Sequence, residues 1–504
     1  MASSIKKVLI ANRGEIAIRI LRTCRELGIT TVALFSDADR SALHVRRADE
    51  AYYLGKSPAT ESYLNIEKII AIAKKARVDA IHPGYGFLSE NAQFAQTVID
   101  AGMIFVGPSP KTISQMGSKI EARKIAIQAG VPVIPGMEKA IQDLSEAKKI
   151  AQQMGYPILL KAAMGGGGKG MRTVHREEEL ASAFELASGE ALKSFKDGSV
   201  FIEKLIEGPH HIEVQILGDQ HGNVIHLFER ECSIQRRHQK IIEESPSPFI
   251  TEATRKKVCD IALKLAKHVG YQNAGTIEML VDKNQNCYFL EVNTRLQVEH
   301  PITECVTHLD LVKLQLEIAM GKPLPLKQAD ITQTGAAIEC RIYAEDPFNN
   351  FRPSPGLVID QQYPHGPEVR LDNGIYQGFT VPMEYDPILA KLITWGNTRQ
   401  EAITRMKRAL AEYKIIGIKT NLYFHRRALE IADFVKGHYD THFVDQHLAE
   451  ILKIDPQEKE IALMLAALTQ HLHNKSLKPT TSGTEAASVS AWKLLGRKAG
   501  LRSS

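Results

Sequence analysis

An α/β chain of about three domains, opening with a doubly wound parallel sheet, is the architecture this sequence predicts. Three observations carry it. The 504 residues are more than one compact core organises. The N-terminal portion alternates short apolar runs with stretches of helical spacing, the pattern of a parallel sheet wrapped by helices. Further along, four consecutive glycines, Gly165, Gly166, Gly167 and Gly168, sit between two strand-like segments and not between polar ones.

Taken in order, residues 7–11 read as a buried strand and 15–27 as a helix ended by Gly28. Residues 31–35 give a second strand, 66–75 a helix, and 80–82 and 104–106 two more strands. The first turn, Asn12-Arg13-Gly14-Glu15, lacks G-x-G-x-x-G, so no dinucleotide site is expected there. This N-terminal domain spans 1–115. A helical linker, 116–132, carries a helix over 119–129 closed by Gly130-Val131-Pro132. The second domain, 133–204, has strands at 157–161 and 199–203 on either side of the glycine run. A larger α+β domain, 205–450, opens with strands at 212–217 and 224–229 and closes with a helix at 399–413. The remaining 451–504 holds one helical stretch, 460–471, a linker rich in Ser, Thr, Gly and Ala from 479 to 490, and a basic end.

Composition narrows the function. A net charge of +5, with Lys and Arg interleaved among nearly as many Asp and Glu, offers no basic stripe for nucleic acid. The local cluster Arg236, Arg237, His238 and Lys240 suits a polyphosphate better than a duplex. Six cysteines without a C-x-x-C pair argue against zinc and against a disulfide framework, which fits a reducing compartment. No run approaches the ~18 apolar residues of a membrane span, and no signal sequence is apparent. A cytoplasmic protein is therefore expected, with neither membrane nor nucleic acid as partner.

Three constellations carry chemistry. A glycine run alone is usually a linker, but this one directly follows Ile158-Leu159-Leu160 and precedes a resumed strand. A glycine-rich hairpin tip can wrap backbone N–H groups around a phosphate, with Lys161 and Lys169 adding charge. No G-K-[ST] opens a helix there, so it is not a Walker loop. Next, Glu278 and Glu291 flank the turn 282–286 at about the same height, with Asn293 on the face of Glu291. Their neighbours are Ile, Met, Leu and Val, so a solvated pair of edge acids is disfavoured. Oxygen-only ligands so placed suit Mg²⁺ or Mn²⁺ carrying phosphate oxygens. Last, the stretch 291–301 brings Arg295, Gln297 and Glu299 together; with Lys240 and Arg341 it can surround a small oxyanion, leaving Glu299 as a candidate general base.

Several long motifs, in order from about residue 5 to about 448, resemble biotin carboxylase. They are the run from Asn12 to Arg19, the run from His82 to Asn91, the Gly165–Gly170 segment, Gln235 to Lys240, Glu291 to His300, and Glu339 to Pro347. The resemblance implies an ATP-grasp fold of three domains with a mobile glycine lid. It also implies a reaction in which Mg-ATP and bicarbonate give carboxyphosphate, and then carboxybiotin. By the same match, Lys119 and Lys161 touch the phosphates, while Glu203, Lys204 and Leu205 read the adenine. His211, Gln235 and His238 lie near ribose and phosphates, and Glu278, Glu291 and Asn293 hold the metal. Bicarbonate is set against Lys240, Arg295, Gln297 and the Val298 backbone, Glu299 removes its proton, and Arg341 steadies carboxyphosphate and the biotin enolate. No Met-Lys-Met attachment site occurs. Biotin is therefore expected on a separate biotin carboxyl carrier protein, with carboxyltransferase subunits as further partners. The family resemblance also implies a homodimer, and Arg22 and Glu26, spaced i, i+4, fall in the pairing region or form an ordinary intrahelical pair. Acetyl-CoA carboxylase is the expected assembly; a pyruvate or propionyl-CoA carboxylase is the alternative, and another ATP-grasp ligase a more distant one.

Overall fold

Lys7–Ile10 (β1) is buried along nearly its whole length, so both of its faces must be covered. The neighbours that cover it are Thr30–Ser36 (β2), Glu50–Gly55 (β3), Ala80–His82 (β4) and Ile104–Phe105 (β5). All pair in parallel, in the order β3-β2-β1-β4-β5. Gly14–Glu26 (α1), Ile66–Ala76 (α2) and Ala92–Asp100 (α3) wind around this sheet. Of these five strands only β3 escapes the sequence reading, because an edge strand with exposed Tyr53 shows no clean apolar run; the helix α3 escapes it as well. At the end of β4 the chain turns tightly over Asn12, whose Nδ2 donates to the carbonyls of Pro83 and Tyr85 (2.7 Å each). Gly84 has φ +64°, and a Cβ there would lie 2.9 Å from that amide nitrogen. The Arg22–Glu26 pair does not form. Arg22 reaches Asp372 instead (3.4 Å), a buried carboxylate that attracts a cation more strongly than an exposed one.

The computed structural model describes residues 4–137, 141–162, 171–195, 198–454 and 456–476. Gly165, Gly166, Gly167, Gly168 and Lys169 lie outside the described residues, as does the linker 479–490. After the helix Lys119–Gln128 (α4), capped by the Ser118 hydroxyl, comes a small antiparallel sheet. Its strands are Ile158–Ala162 (β6), Met171–Val174 (β7) and Val200–Lys204 (β8), in the order β7-β6-β8. Leu160 and Ile202 pack against Leu180 and Phe184 of Glu177–Phe195 (α5).

One eight-stranded antiparallel sheet dominates the rest. Its strands are His210–Gly218 (β9), Val224–Arg236 (β10), Gln239–Ser245 (β11), Asn273–Val281 (β12), Cys287–Asn293 (β13), Ala336–Tyr343 (β14), Val369–Asn373 (β15) and Ile388–Gly396 (β16). Their order is β13-β12-β9-β10-β11-β14-β16-β15. Period-two alternation sorts the side chains. Ile212, Val214, Ile216, Ile277 and Met279 pack under Glu252–His268 (α6), and Ile338, Cys340, Ile342 and Leu392 under Arg399–Glu412 (α8). The opposite face carries Glu213, Gln215, Glu243, Glu278, Glu339, Arg341 and Lys391. Such a face is ordinarily solvated, yet all seven are buried, beneath the segment 294–299 and the helix His300–Thr307 (α7). Every charge on it therefore needs a partner.

Arg230 of β10, fully buried, supplies several. It donates to Glu213 (2.5 Å) and Gln215 (2.8 Å) on β9, Thr276 (3.0 Å) on β12 and Thr303 (2.9 Å) on α7. Residues 453–504 form a separate unit, in which Pro456–Ser476 (α9) is helical and leaves Ile461, Leu463, Leu465 and Leu468 exposed. Among the described residues no helix is long and apolar enough to cross a membrane. Replacing Arg230 by Met should strip Glu213 Oε1 of its buried donor and cost about 3–5 kcal/mol, read as a lower urea midpoint. A midpoint unchanged from wild type would contradict the role given to Arg230.

Candidate active site

The β12–β13 hairpin sets the first part of the site. Below its turn, Val281 pairs with Cys287, Leu280 with Tyr288 and Met279 with Phe289. A bulge then inserts Leu290, so that Glu278 faces Glu291 and Thr276 faces Asn293. Without that extra residue Glu291 would point to the opposite side of the sheet. Asn293 Nδ2 donates to Glu278 Oε1 (2.8 Å), and Lys119, at the start of α4, lies 3.6 Å from Glu291. Burial, and next the charge of Glu278, raise the Glu291 carboxyl above its usual range. Burial also works against ionised Glu278, but Lys240 and then His211 (3.2 Å) outweigh it and hold that carboxyl low. Two facing carboxylates and an amide oxygen form a hard oxygen-donor set. A divalent cation such as Mg²⁺ fits it and would relieve their repulsion.

The second part is an ion cluster around Lys240 of β11. Its ammonium donates to Glu278 (2.8 Å), Glu299 (2.8 Å) and Glu213. Three donors meet three carboxylates. Burial disfavours the charged ammonium, yet Glu213, Glu278 and Glu299 together raise its pKa well above the ordinary value. Glu299, fully buried at the mouth of α7, is held ionised against that burial by Lys240 first and then by Arg341 and Arg230. Arg341 of β14 spans two acids: Nη2 donates to Glu299 (2.9 Å) and Nε to Glu243 (2.5 Å). Arg295 closes the rim, donating to Glu90 (2.8 Å), Asn293 (2.9 Å) and Gln297 (2.8 Å). Gln297 in turn reaches Glu278 (3.2 Å). The Val298 carbonyl accepts from Lys391 (2.9 Å), and Lys391 lies 3.4 Å from Glu15, which also accepts from Tyr85. An ionised carboxylate flanked by three cations can take a proton from a small oxyanion bound among them.

His211, Lys240, Glu278, Asn293, Arg295, Gln297, Glu299 and Arg341 thus form one connected network, which Lys119 approaches through Glu291. Other residues singled out from the sequence stand apart from it. Lys161 pairs with Glu203 across β6 and β8 (2.5 Å). Lys204 donates to the carbonyls of Gly155 and Tyr156 (3.0 Å each), and the Leu205 amide to that of Pro157 (3.2 Å). Gln235 donates to the Cys232 carbonyl (2.8 Å), and His238 is exposed in a left-handed turn, φ +65°. Among the described residues no side-chain hydrogen bond or ion pair joins any of these six directly to the network, although Gln235 is the cross-strand neighbour of Lys240. Sequence reasoning missed Tyr85, Glu90, Glu213, Arg230, Glu243, Glu339 and Lys391. For the strand residues the signal was available: a charge inside an apolar strand, the same pattern that singled out Glu278.

The chain matches the family model described as Biotin carboxylase, N-terminal domain, over residues 4–113. Residues 118–327 match Carbamoyl-phosphate synthase L chain, ATP binding domain, and 339–446 match Biotin carboxylase C-terminal domain. The Biotin carboxylase of Halalkalibacterium halodurans is 54% identical over 443 residues, covering 88% of this chain and 98% of that protein. A pyruvate carboxylase subunit from Methanothermobacter thermautotrophicus is 48% identical over 487 residues, covering 93% of this chain and 99% of that protein. Among solved structures, the biotin carboxylase domain dimer of Hydrogenobacter thermophilus 2-oxoglutarate carboxylase, in complex with MgADP, ADP and bicarbonate, aligns with a TM-score of 0.85. It is 45% identical and covers 90% of this chain and 99% of its own.

Lys240→Met should leave Glu213, Glu278 and Glu299 without their shared cation. Their carboxyls would then titrate higher in the folded than in the unfolded chain, so the penalty grows as pH rises through that range. Unfolding in urea should therefore show a loss of about 3–5 kcal/mol at neutral pH and a clearly smaller one near pH 5. A loss independent of pH would contradict the ion-cluster account.

Proposed function

The chain belongs to the biotin carboxylase family of ATP-dependent carboxylating ligases, and we propose that it carboxylates biotin borne on a separate carrier protein. The observation that carries this reading is Glu299, kept ionised by Lys240 and Arg341 with Arg295 and Gln297 at the rim. Bicarbonate, a poor electrophile, would lie against Lys240, Arg295, Gln297 and the Val298 backbone. Glu299 takes its proton, and the resulting dianion attacks the γ-phosphate of ATP to give carboxyphosphate. Lys119 and Lys161 would face the phosphates, with Glu203, Lys204 and Leu205 at the adenine and His211, Gln235 and His238 nearer the ribose and phosphates. Bound at Glu278, Glu291 and Asn293, Mg²⁺ (or Mn²⁺) would neutralise phosphate charge. Carboxyphosphate splits into CO₂ and phosphate, and the phosphate removes the ureido proton of biotin. Arg341 then balances the enolate, which attacks CO₂. Residues 165–169 would close over the nucleotide and keep water from the mixed anhydride.

The charged groups are bound to one another in this structure, Arg295 to Glu90 and Lys240 to three acids. Substrate binding is then an exchange of ionic partners within an already assembled site, which limits its reorganisation cost. A homodimer is proposed as well, supported by the dimeric state of the Hydrogenobacter thermophilus domain.

Two assemblies suit this catalytic unit. Acetyl-CoA carboxylase is the reading favoured from sequence. One observation favours the 2-oxo acid alternative: a match covering 93% of 504 residues must extend beyond about residue 465, into α9, whereas the Halalkalibacterium halodurans enzyme is spanned almost end to end by a match covering 88%. Residues 453–504 are accordingly proposed to dock the carrier or transferase subunit through Ile461, Leu465 and Leu468, which share one side of α9.

ADP release with Mg²⁺, measured with bicarbonate and free biotin singly and together, should rise strongly only with both. Turnover indifferent to biotin would mean the acceptor is wrong. Glu299→Gln should lower the biotin-dependent rate by about 10²–10⁴ while MgATP still binds. Removing 453–504 should leave that rate unchanged and abolish co-elution with purified transferase and carrier subunits; retained co-elution would refute the docking role.

A further inference from the structure

Two carboxylic acids that this reaction leaves idle face each other directly behind Arg341. Glu243 of β11 and Glu339 of β14 are cross-strand partners, which sets their Cβ atoms roughly 5 Å apart on one face of the sheet. Both are buried, with no more than 1% of either exposed. Their surroundings are unequal. Glu243 Oε1 accepts from Arg341 Nε at 2.5 Å, while its Oε2 has no partner. Neither oxygen of Glu339 has one. The nearest cation beside Arg341 is Lys391 on β16, already committed to the Val298 carbonyl (2.9 Å) and Glu15 (3.4 Å). From α7 the groups that act on the pair are Glu299, itself an anion, and the Cys305 thiol.

A carboxylate sealed from water without a donor takes up a proton instead. Burial raises Glu339 well above the usual carboxylate range; Lys391 opposes this, and the neighbouring charge of Glu243 adds to it. A single proton pairs one oxygen of Glu339 with the unpartnered oxygen of Glu243. Protonated Glu339 becomes a donor, and the unpaired Glu243 Oε2 across the strand is the acceptor its register supplies. We propose that Glu339 is a neutral acid that hydrogen-bonds Glu243 and is thereby a positioning residue for Arg341. Glu243, fixed at Oε2, presents Oε1 to Arg341 Nε, and Arg341 Nη2 is left pointing at Glu299 (2.9 Å). An ionised Glu339 would instead compete with Glu243 for Arg341 and draw it off the base. The inference rests on the roles given above to Glu299 and Arg341.

Glu339→Gln and Glu339→Met keep the volume and separate the two properties of the side chain. The Gln amide can donate to Glu243 as the acid does, whereas Met cannot. With full-length protein, Mg-ATP, bicarbonate and free biotin, Glu339→Gln should keep kcat and the KM for biotin within about twofold at neutral pH. It should also extend activity further into the alkaline range, where wild type loses the Glu339 proton. Glu339→Met should lower kcat/KM for biotin about tenfold while MgATP binding is unchanged. The infrared spectrum of wild type should contain the C=O band of a protonated carboxyl that Glu339→Gln lacks. Three results would overturn the proposal: no such band, Glu339→Gln as damaged as Glu339→Met, or Glu339→Met matching wild type in kcat, KM and pH profile. If wild type itself shows no biotin-dependent turnover, the reading of Glu299 fails, and the infrared band still decides whether Glu339 holds a proton.

Discussion

One ammonium group holds three carboxylates together at the centre of the eight-stranded sheet, and much else in the catalytic unit can be traced to that contact. A sheet with alternating faces normally gives its polar face to water. Here helix α7 and the segment before it cover that face, so Glu213, Glu278 and Glu299 would be mutually repelling charges out of solvent. Lys240 makes the arrangement tenable by donating to all three. The burial that makes the cluster costly also strengthens every attraction within it, since screening by water is lost. Removing the ammonium would leave three carboxylates to repel one another out of solvent, which ties the stability of the sheet to the integrity of the site.

The rest of the charged face follows from the same constraint. Arg230 offsets Glu213 from the far side and reaches Thr303 on α7, so the helix that begins at the proposed general base is fastened to the strands that hold its counter-charges. Arg341 repeats the arrangement one strand further on, between Glu299 and Glu243. Lys391 carries it to the N-terminal domain, through the Val298 carbonyl and Glu15 of α1. Residues from the parallel sheet domain and from the large antiparallel sheet therefore share one electrostatic network. Glu90, whose loop continues from β4, completes that junction by accepting from Arg295.

Much of this was legible in the sequence, and the part that was not has a physical reason. Parallel strands buried on both faces show as apolar runs, so β1, β2, β4 and β5 could be read, with α1 and α2, while the half-exposed edge strand β3 could not. Glu278 and Glu291 were visible as acids inside an apolar hairpin, and counting from its turn brought them level. The bulge at Leu290 that makes this true is invisible in sequence. Glu213, Glu243, Glu339 and Lys391 show the same local pattern, but they lie on strands joined by connections of tens to more than a hundred residues. Which of them meet depends on strand order, and local periodicity does not determine strand order.

The two halves of the site differ in how firmly they are built. Around Glu299 every participating side chain comes from a wide sheet or from the helix fastened to it, and most have two or more partners. On the proposed nucleotide side, Lys161 and Glu203 sit on a three-stranded sheet and are paired chiefly with each other. This division matches what the chemistry asks of each. The base must be ionised and oriented before bicarbonate arrives, because orientation supplied in advance need not be purchased during the reaction. A nucleotide must enter and leave in every cycle, so Lys161, in its proposed phosphate-binding role, would need a partner it can exchange for phosphate at little cost. Glu203 would be such a partner within the same small sheet, and the exchange proposed there would leave the ion cluster around Lys240 undisturbed.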